Sequence, residues 1–132
     1  LVAITAGAHL FTLFDSIAIG AIGGILVVFA VPLFDKVRID DPVGALSVHL
    51  VNGIWGTLAV GIFAADPAKG VTLLNQLKGI VEIAVFVFSV SFAVIYVINK
   101  FIPFRASDED QVQGLDVSEC GLEAYPEFKR AI

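Results

Sequence analysis

The sequence predicts an all-α integral membrane protein with three transmembrane helices and a polar tail. The 132 residues are 58% hydrophobic and 16% charged, with a mean hydropathy of +0.91, whereas soluble domains average about 25% charged. Three apolar runs are each long enough to cross a bilayer, because about 20 helical residues span its hydrocarbon core. Hydropathy falls sharply after Pro103.

The charges divide the chain into two parts. Residues 1–104 hold six acids and five bases, whereas residues 105–132 hold seven acids and three bases, for a net charge of −5. We therefore predict a transmembrane region over 1–104 and an acidic tail over 105–132. This balance argues against nucleic acid as a partner. The single cysteine, Cys120, allows no disulfide within the chain and has no metal-ligand spacing.

The first full span is predicted over residues 16–34, after an apolar stretch that we interpret as the end of a preceding span. Asp15 stands where an N-cap residue is expected. Ser16, Gly20 and Gly24 recur every four residues, which predicts a packing stripe that lets another helix come close.

The second span is predicted over residues 43–65, which contain no charged side chain. It follows two aspartates and Pro42, which we expect in the first turn of the helix. Its one titratable group is His49, followed by Asn52. A titratable side chain inside a membrane span is a functional candidate, because exposing it to lipid is costly.

Steps of three and four residues place a strip of small and polar residues on one predicted face of this helix. The strip consists of Ala45, His49, Asn52, Gly53, Gly56 and Val60. Two interpretations stay open for it. It either lines a channel, with the polar groups facing the permeant molecule, or packs against a neighbour, with His49 bonded to a carbonyl.

The third span is predicted over residues 79–98. It contains Glu82, one turn after Lys78, which predicts an ion pair near the membrane surface or else a buried carboxylate that handles protons. Basic residues near the ends of the first and third spans favour the cytoplasmic side, so we predict a cytoplasmic C-terminus.

No phosphate-binding loop, dinucleotide fingerprint, hydrolase motif or paired metal ligands occur in the sequence. We therefore expect neither an enzyme nor a cofactor. The chain begins at Leu1 and contains no methionine, which leads us to expect a segment or a processed form of a longer product.

Three stretches of the chain resemble the Amt-type ammonium transporter family. Residues 40–64, which read Asp-Asp-Pro-Val-Gly-Ala-Leu-Ser-Val-His at their start, resemble its tenth transmembrane helix. Residues 1–7 resemble its eighth helix, and residues 114–125 resemble its cytoplasmic tail. The resemblance covers essentially the whole chain but only the last third of a transporter, so the predicted spans correspond to helices nine to eleven.

The resemblance implies transport of ammonium or ammonia across the plasma membrane by a homotrimer of eleven-helix subunits. His49 matches the second of the family's two pore histidines, and Asn52 is the neighbouring candidate for the pore. A regulatory tail that a P-II-type signalling protein could bind is implied at Gly114, Leu115, Asp116, Gly121 and Tyr125. Cys120 departs from the histidine usual in that tail.

Two other functions are compatible with the same residues. The chain could be an ammonium sensor or regulatory membrane protein that acts through its tail. It could also be a truncated product that inserts into the lipid bilayer without conducting. An upstream reading frame with the other pore histidine would favour the transporter over the truncated product.

Overall fold

The computed structural model describes residues 1–124 and Pro126. In this part of the chain every regular element is helical, apart from an isolated bridge between Asp66 and Val71. The elements are α1 (Val2–Thr5), α2 (Leu13–Lys36), a π-helical segment (Ala45–Leu50), α3 (Val51–Phe63), a 3-10 turn (Pro67–Lys69), α4 (Leu73–Asn99), α5 (Asp108–Gln113) and α6 (Leu115–Cys120).

Three of these stretches are long and apolar enough to cross a membrane. They are α2, the π segment together with α3, and α4. The predicted fold class, an all-α membrane protein with three spans, is confirmed. The chain forms two compact units, Leu1–Val87 and Phe88–Ile132.

Helix α2 begins with a capping box formed by Thr12 and Asp15. The Thr12 hydroxyl accepts a hydrogen bond from the Asp15 N–H at 3.2 Å, and the Asp15 carboxylate accepts from the Thr12 N–H at 2.9 Å. This arrangement satisfies two N–H groups that the first helical turn leaves without partners. The prediction of Asp15 as the N-cap was wrong, because Thr12 holds that position and Asp15 is the third helical residue.

The end of α2 is closed by a residue in the left-handed conformation. Arg38 has φ 60°, and the N–H of Ile39 bonds back to the carbonyl of Phe34 at 3.0 Å. That bond is the closing bond of a Schellman-type cap, in which glycine is the usual residue. The short link to the second span therefore starts from a strained arginine.

The core of the first unit lies where α1, α2 and α3 meet. Ile19 is fully buried and packs with Ala3 and Ala59, and Trp55 covers the cluster from one side. These are mostly small side chains, so the backbones come close together. Van der Waals packing of this kind holds membrane helices together, since lipid supplies little hydrophobic driving force.

The closest contacts between helices occur at glycines, but these are not the glycines of the predicted stripe. A Cβ on Gly23 would lie 2.8 Å from Asn52 Oδ1, and one on Gly56 would overlap the Ala3 carbonyl oxygen. Gly20 and Gly24 have open space where a Cβ would stand. The packing stripe of α2 is therefore Ile19, Gly23 and Ala30, one residue away from the predicted 16–20–24 register.

Helix α4 begins at Leu73, six residues before the predicted start of the third span. The Thr72 hydroxyl accepts a hydrogen bond from the Asn75 N–H at 3.2 Å, which satisfies one N–H of the first turn. In the described chain Lys78 and Glu82 form no ion pair, so that interpretation was wrong; the pair present is Lys69–Asp66 at 3.0 Å.

The second unit starts with the end of α4. Phe88, Phe92 and Tyr96 stack at successive turns, with ring centroids 6.1 and 6.2 Å apart. The Lys100 ammonium lies 4.7 Å from the centre of the Tyr96 ring. These rings are exposed.

Candidate functional site

The second span begins at a carboxylate that binds the backbone of the π segment. Asp41 Oδ1 accepts a hydrogen bond from the Leu46 N–H at 3.0 Å. Its Oδ2 accepts from the N–H and the hydroxyl of Ser47, at 2.8 and 2.7 Å. The carboxylate thus takes up N–H groups at the start of the span that have no partner within the helix.

These bonds also change the acidity of Asp41. Hydrogen bonds donated by the N–H groups of Leu46 and Ser47 favour the charged carboxylate and hold the pKa of Asp41 below its usual value. Asp41 lies in the link before the span and is ionised at neutral pH. Its negative charge stands at the N-terminal end of the helix, where the partial charge of the backbone is positive.

Pro42 is not in the first helical turn, contrary to the prediction. It lies in a turn closed by the Gly44 N–H, which bonds to the Asp41 carbonyl at 3.2 Å. The helix starts only at Ala45, after Gly44 at φ 72°. This left-handed conformation suits glycine, since a Cβ would be strained there.

The first turns of the span are π-helical rather than α-helical. The Val51 N–H bonds to the carbonyl of Leu46, five residues earlier. A π turn contains about one residue more than an α turn and often lies at functional sites. Residues before it are therefore displaced around the helix relative to those after it.

The displacement divides the strip predicted from the sequence. Asn52, Gly56 and Val60 are buried, whereas Ala45 and His49 are exposed. Ser47, only 2% exposed, takes the buried position above Asn52 instead. The single six-residue face was a wrong prediction, because it assumed 3.6 residues per turn throughout.

His49 lies on the exposed side of the π segment. Its ring Nδ1 is 3.4 Å from the carbonyl oxygen of Gly44. A hydrogen on Nδ1 would donate to that carbonyl, and this tautomer leaves Nε2 of the exposed side chain as an acceptor. The imidazole is therefore oriented by its own segment and is open to another molecule or to other residues.

Asn52, in contrast, is buried and only 6% exposed. Its Oδ1 has no hydrogen-bond partner among the residues that the structure describes. The carboxamide lines a cavity of about 270 Å³ between α1, α2 and the second span. The two polar candidates of the second span are thus not brought together.

One residue of this region was not singled out from the sequence. The Trp55 indole N–H donates a hydrogen bond of 3.0 Å to the Ile19 carbonyl, which joins α3 to α2. The signal was available, because the N–H of a buried tryptophan usually finds a partner. Trp55 sets how closely the second span approaches the first.

The tail residues predicted to be regulatory lie in the second unit, at and after two short helices. Ser107 caps α5 by accepting from the Asp110 N–H at 3.1 Å. Gly114 and Gly121 have φ of 104° and 65° and flank α6, which begins with Leu115. Asp116 Oδ2 accepts from the Ala124 N–H at 2.8 Å, so the chain folds back onto α6.

Tyr125, the last of these residues, lies outside the described residues. Up to Ala124, the tail forms local helices with their own caps and turns.

The fold and the site define a class before any comparison is made. The chain is an integral membrane protein with an exposed imidazole and a buried carboxamide on the same spanning helix.

Comparison with known proteins then identifies the family. The sequence profile described as the Ammonium Transporter Family matches residues 1–125. An ammonium transporter of Bacillus subtilis is 36% identical over 95% of this chain and 34% of its own length. One of Archaeoglobus fulgidus is 34% identical over 97% of this chain and 31% of its own length. One of Schizosaccharomyces pombe is 33% identical over 95% and 29%.

The chain belongs to the ammonium transporter family. It spans about a third of the length of these curated relatives.

Proposed function

We propose that this chain is the C-terminal part of an ammonium transporter and that His49 lines its pore. The observation that carries the proposal is the position of His49. Its imidazole stands on the exposed side of the second span, in a chain that covers only a third of each relative. The remaining two thirds of such a transporter would face this surface and complete the pore.

The chemistry of ammonium favours a neutral imidazole at such a place. Ammonium and potassium ions have nearly the same size, so a pore cannot separate them by diameter. Ammonium can release a proton, however, and neutral ammonia enters an apolar channel at far lower desolvation cost than an ion. His49 Nε2 would accept a hydrogen bond from ammonia and, with a partner histidine, relay the proton.

Asn52 has a different part in this proposal. Asn52 is buried whereas His49 is exposed, so contact with Asn52 would be a second polar contact for the permeant molecule. We propose that Asn52 contributes to the transport region from behind the π segment, next to Val48, which lines the same cavity.

The assembly and location follow from the same proposal. The transporter would be a homotrimer in the plasma membrane, with the tail on the cytoplasmic side. Lys36 and Arg38 lie in or beside the short link that would share this side, and an excess of basic residues is typical of cytoplasmic loops.

A second function, regulation through the tail, is favoured by one observation. The acidic tail is folded by local caps at Ser107, Gly121 and Asp116, which would present a defined surface. We propose that a P-II-type signalling protein or a neighbouring subunit reads this surface. A sensor that does not transport, or a truncated product that inserts but does not conduct, remains the alternative to be tested.

A chimera tests the proposal. The matching third of the Bacillus subtilis relative would be replaced by this chain, and uptake of methylammonium would be measured in transporter-deficient cells. The chain alone serves as the matched control. Uptake by the chimera alone supports the proposal. Absence of uptake by a chimera that inserts correctly would point to the sensor or the truncated product.

Uptake by the 132 residues alone would contradict the proposal, because the pore would then form without the missing helices. A tail variant separates the regulatory role. Deletion of residues 105–132 should abolish capture by a P-II-type protein while leaving the chimera in the membrane.

A further inference from the structure

The cavity lined by Asn52 has the features of a binding site for a small molecule. It measures about 270 Å³, and its walls are mostly apolar or without side chains. Among the residues that line it are Val2, Gly20, Gly23, Gly24, Val48 and Asn52. Among the described residues that line it, none has a charged side chain.

The base of the cavity holds a buried acceptor. Asn52 is 94% buried, and its Oδ1 has no hydrogen-bond partner within the described chain. A buried carbonyl oxygen without a donor is costly, and native structures usually supply a partner for such a group. Glycine at position 23 leaves room for the carboxamide, since a Cβ there would lie 2.8 Å from Oδ1.

We propose that this cavity binds a small neutral hydrogen-bond donor, water or ammonia, on Asn52 Oδ1. An amide oxygen recognises an O–H or N–H group, and both molecules carry one. An ion would enter without a compensating charge, which makes a neutral ligand the one that fits. A water molecule occupies about 30 Å³ in the liquid, so the cavity has room for several.

The site is separate from the surface that presents His49. Val48 lines the cavity, whereas His49 is exposed and is not among the residues that line it. The binding of water goes beyond the proposed function and does not require transport. The binding of ammonia rests on the proposed function, since it makes the cavity a second position for the permeant molecule.

Infrared spectroscopy of the full chain in detergent micelles tests the proposal without any uptake measurement. The chain has three asparagines, Asn52, Asn75 and Asn99, so labelling their side-chain carbonyls with ¹³C gives three bands. Subtraction of the Asn52→Leu spectrum identifies the Asn52 band. Asn99 is an internal reference, because its Oδ1 accepts from the Phe104 N–H at 3.0 Å.

We expect the Asn52 band at the lower frequency of a hydrogen-bonded carbonyl, close to that of Asn99. A band at the higher frequency of a free carbonyl would overturn the proposal, because the cavity would then be dry. Should Asn52→Leu not fold, Asn52→Ala identifies the band in the same way.

Filling the cavity with a larger side chain shows whether the donor to Asn52 Oδ1 is a ligand bound in the cavity or a group elsewhere in the protein. Gly24 lines the cavity and has open space at its Cβ position, whereas Gly53 has equal space but does not line it. Gly24→Leu, or Gly24→Ala if the larger side chain does not fold, should move the Asn52 band to the free frequency. Gly53→Leu should leave the Asn52 band at the hydrogen-bonded frequency. A band that stays hydrogen-bonded in both variants would overturn the proposal.

Two salts distinguish the two ligands. Ammonium chloride at pH 9, against potassium chloride at the same concentration, should shift the Asn52 band if ammonia binds. An unchanged, hydrogen-bonded band identifies water as the ligand. Either result supports the proposal, provided that the cavity-filling variant removes the bond.

Discussion

The indole N–H of Trp55 donates a hydrogen bond of 3.0 Å to the main-chain carbonyl of Ile19. Ile19 is fully buried against Ala3 and Ala59. One side chain therefore fixes the spacing of α2 and α3 at the level of the core, a short distance along the chain from His49.

Removal of this bond should weaken the first unit. Trp55→Phe keeps an aromatic ring but removes the donor and some volume, so we expect a loss of about 1–3 kcal/mol in unfolding free energy. Thermal or denaturant unfolding in detergent would measure it. Ile54→Val, at an exposed neighbouring position, is the control and should change stability far less. Equal stability of the two variants would contradict the role of Trp55.

Two glycines of α3 should respond oppositely to a single methyl group. Gly56→Ala places a Cβ against the Ala3 backbone, which cannot move as a side chain can, whereas Gly53→Ala enters open space. We expect the first change to cost about 1–3 kcal/mol and the second to be neutral or slightly stabilising, because alanine favours a helix. Unfolding of the two variants side by side is the measurement, and an unchanged stability of Gly56→Ala would disprove the close approach of α1.

Replacement of Arg38 by glycine should raise the free energy of unfolding. At φ 60° a residue with a side chain is strained by about 1–2 kcal/mol. Glycine avoids this strain but lowers the free energy of unfolding by about 0.4–1 kcal/mol, because it gives the unfolded chain more conformational freedom. Arg38→Gly should therefore stabilise the protein by about 0.5–1 kcal/mol. Val37→Gly, one residue earlier at φ −87°, should destabilise it. A loss of stability in Arg38→Gly would mean that the guanidinium itself is needed.

Asp41 should make the stability depend on acid pH. Its pKa is lowered in the folded state by hydrogen bonds from the N–H groups of Leu46 and Ser47. The stabilisation is therefore present above the unfolded pKa near 4 and is lost as the pH falls through the lower folded value. Asp41→Asn should flatten this acid limb in a melting-temperature series from pH 7 to pH 3.

Asp40→Asn is the matched control for that series, because Asp41, and not Asp40, accepts the hydrogen bonds from the N–H groups of Leu46 and Ser47. Its acid limb should keep the slope of the unchanged protein. An acid limb that is equally steep in Asp41→Asn would show that the π segment does not depend on this carboxylate.

The fold could be predicted because the ability of a helix to span a membrane depends on the summed apolarity of many residues. The mean apolarity of about 20 residues is insensitive to single positions, so three spans follow from the sequence. The capping of α2 was harder to predict from the sequence, since Thr12 and Asp15 are both common cap residues. Only the backbone geometry distinguishes the N-cap from the third helical position.

The candidate site was predicted in part. His49 and Asn52 stand out as polar groups in an apolar run, but their relative orientation depends on the π segment. That segment arises from Gly44 and the bonds of Asp41, not from the periodicity of the apolar residues. Likewise, which glycines pack depends on which helix lies opposite, and Gly20 and Gly23 look alike in the sequence.

The central claim, that His49 lines the pore, is tested most directly by two neighbouring alanine substitutions in the chimera. His49→Ala removes the imidazole, and Leu50→Ala alters the next side chain, which is also exposed. With equal amounts of protein in the membrane, we predict that His49→Ala lowers methylammonium uptake at least tenfold while Leu50→Ala retains most of it. Unchanged uptake in His49→Ala would contradict the claim.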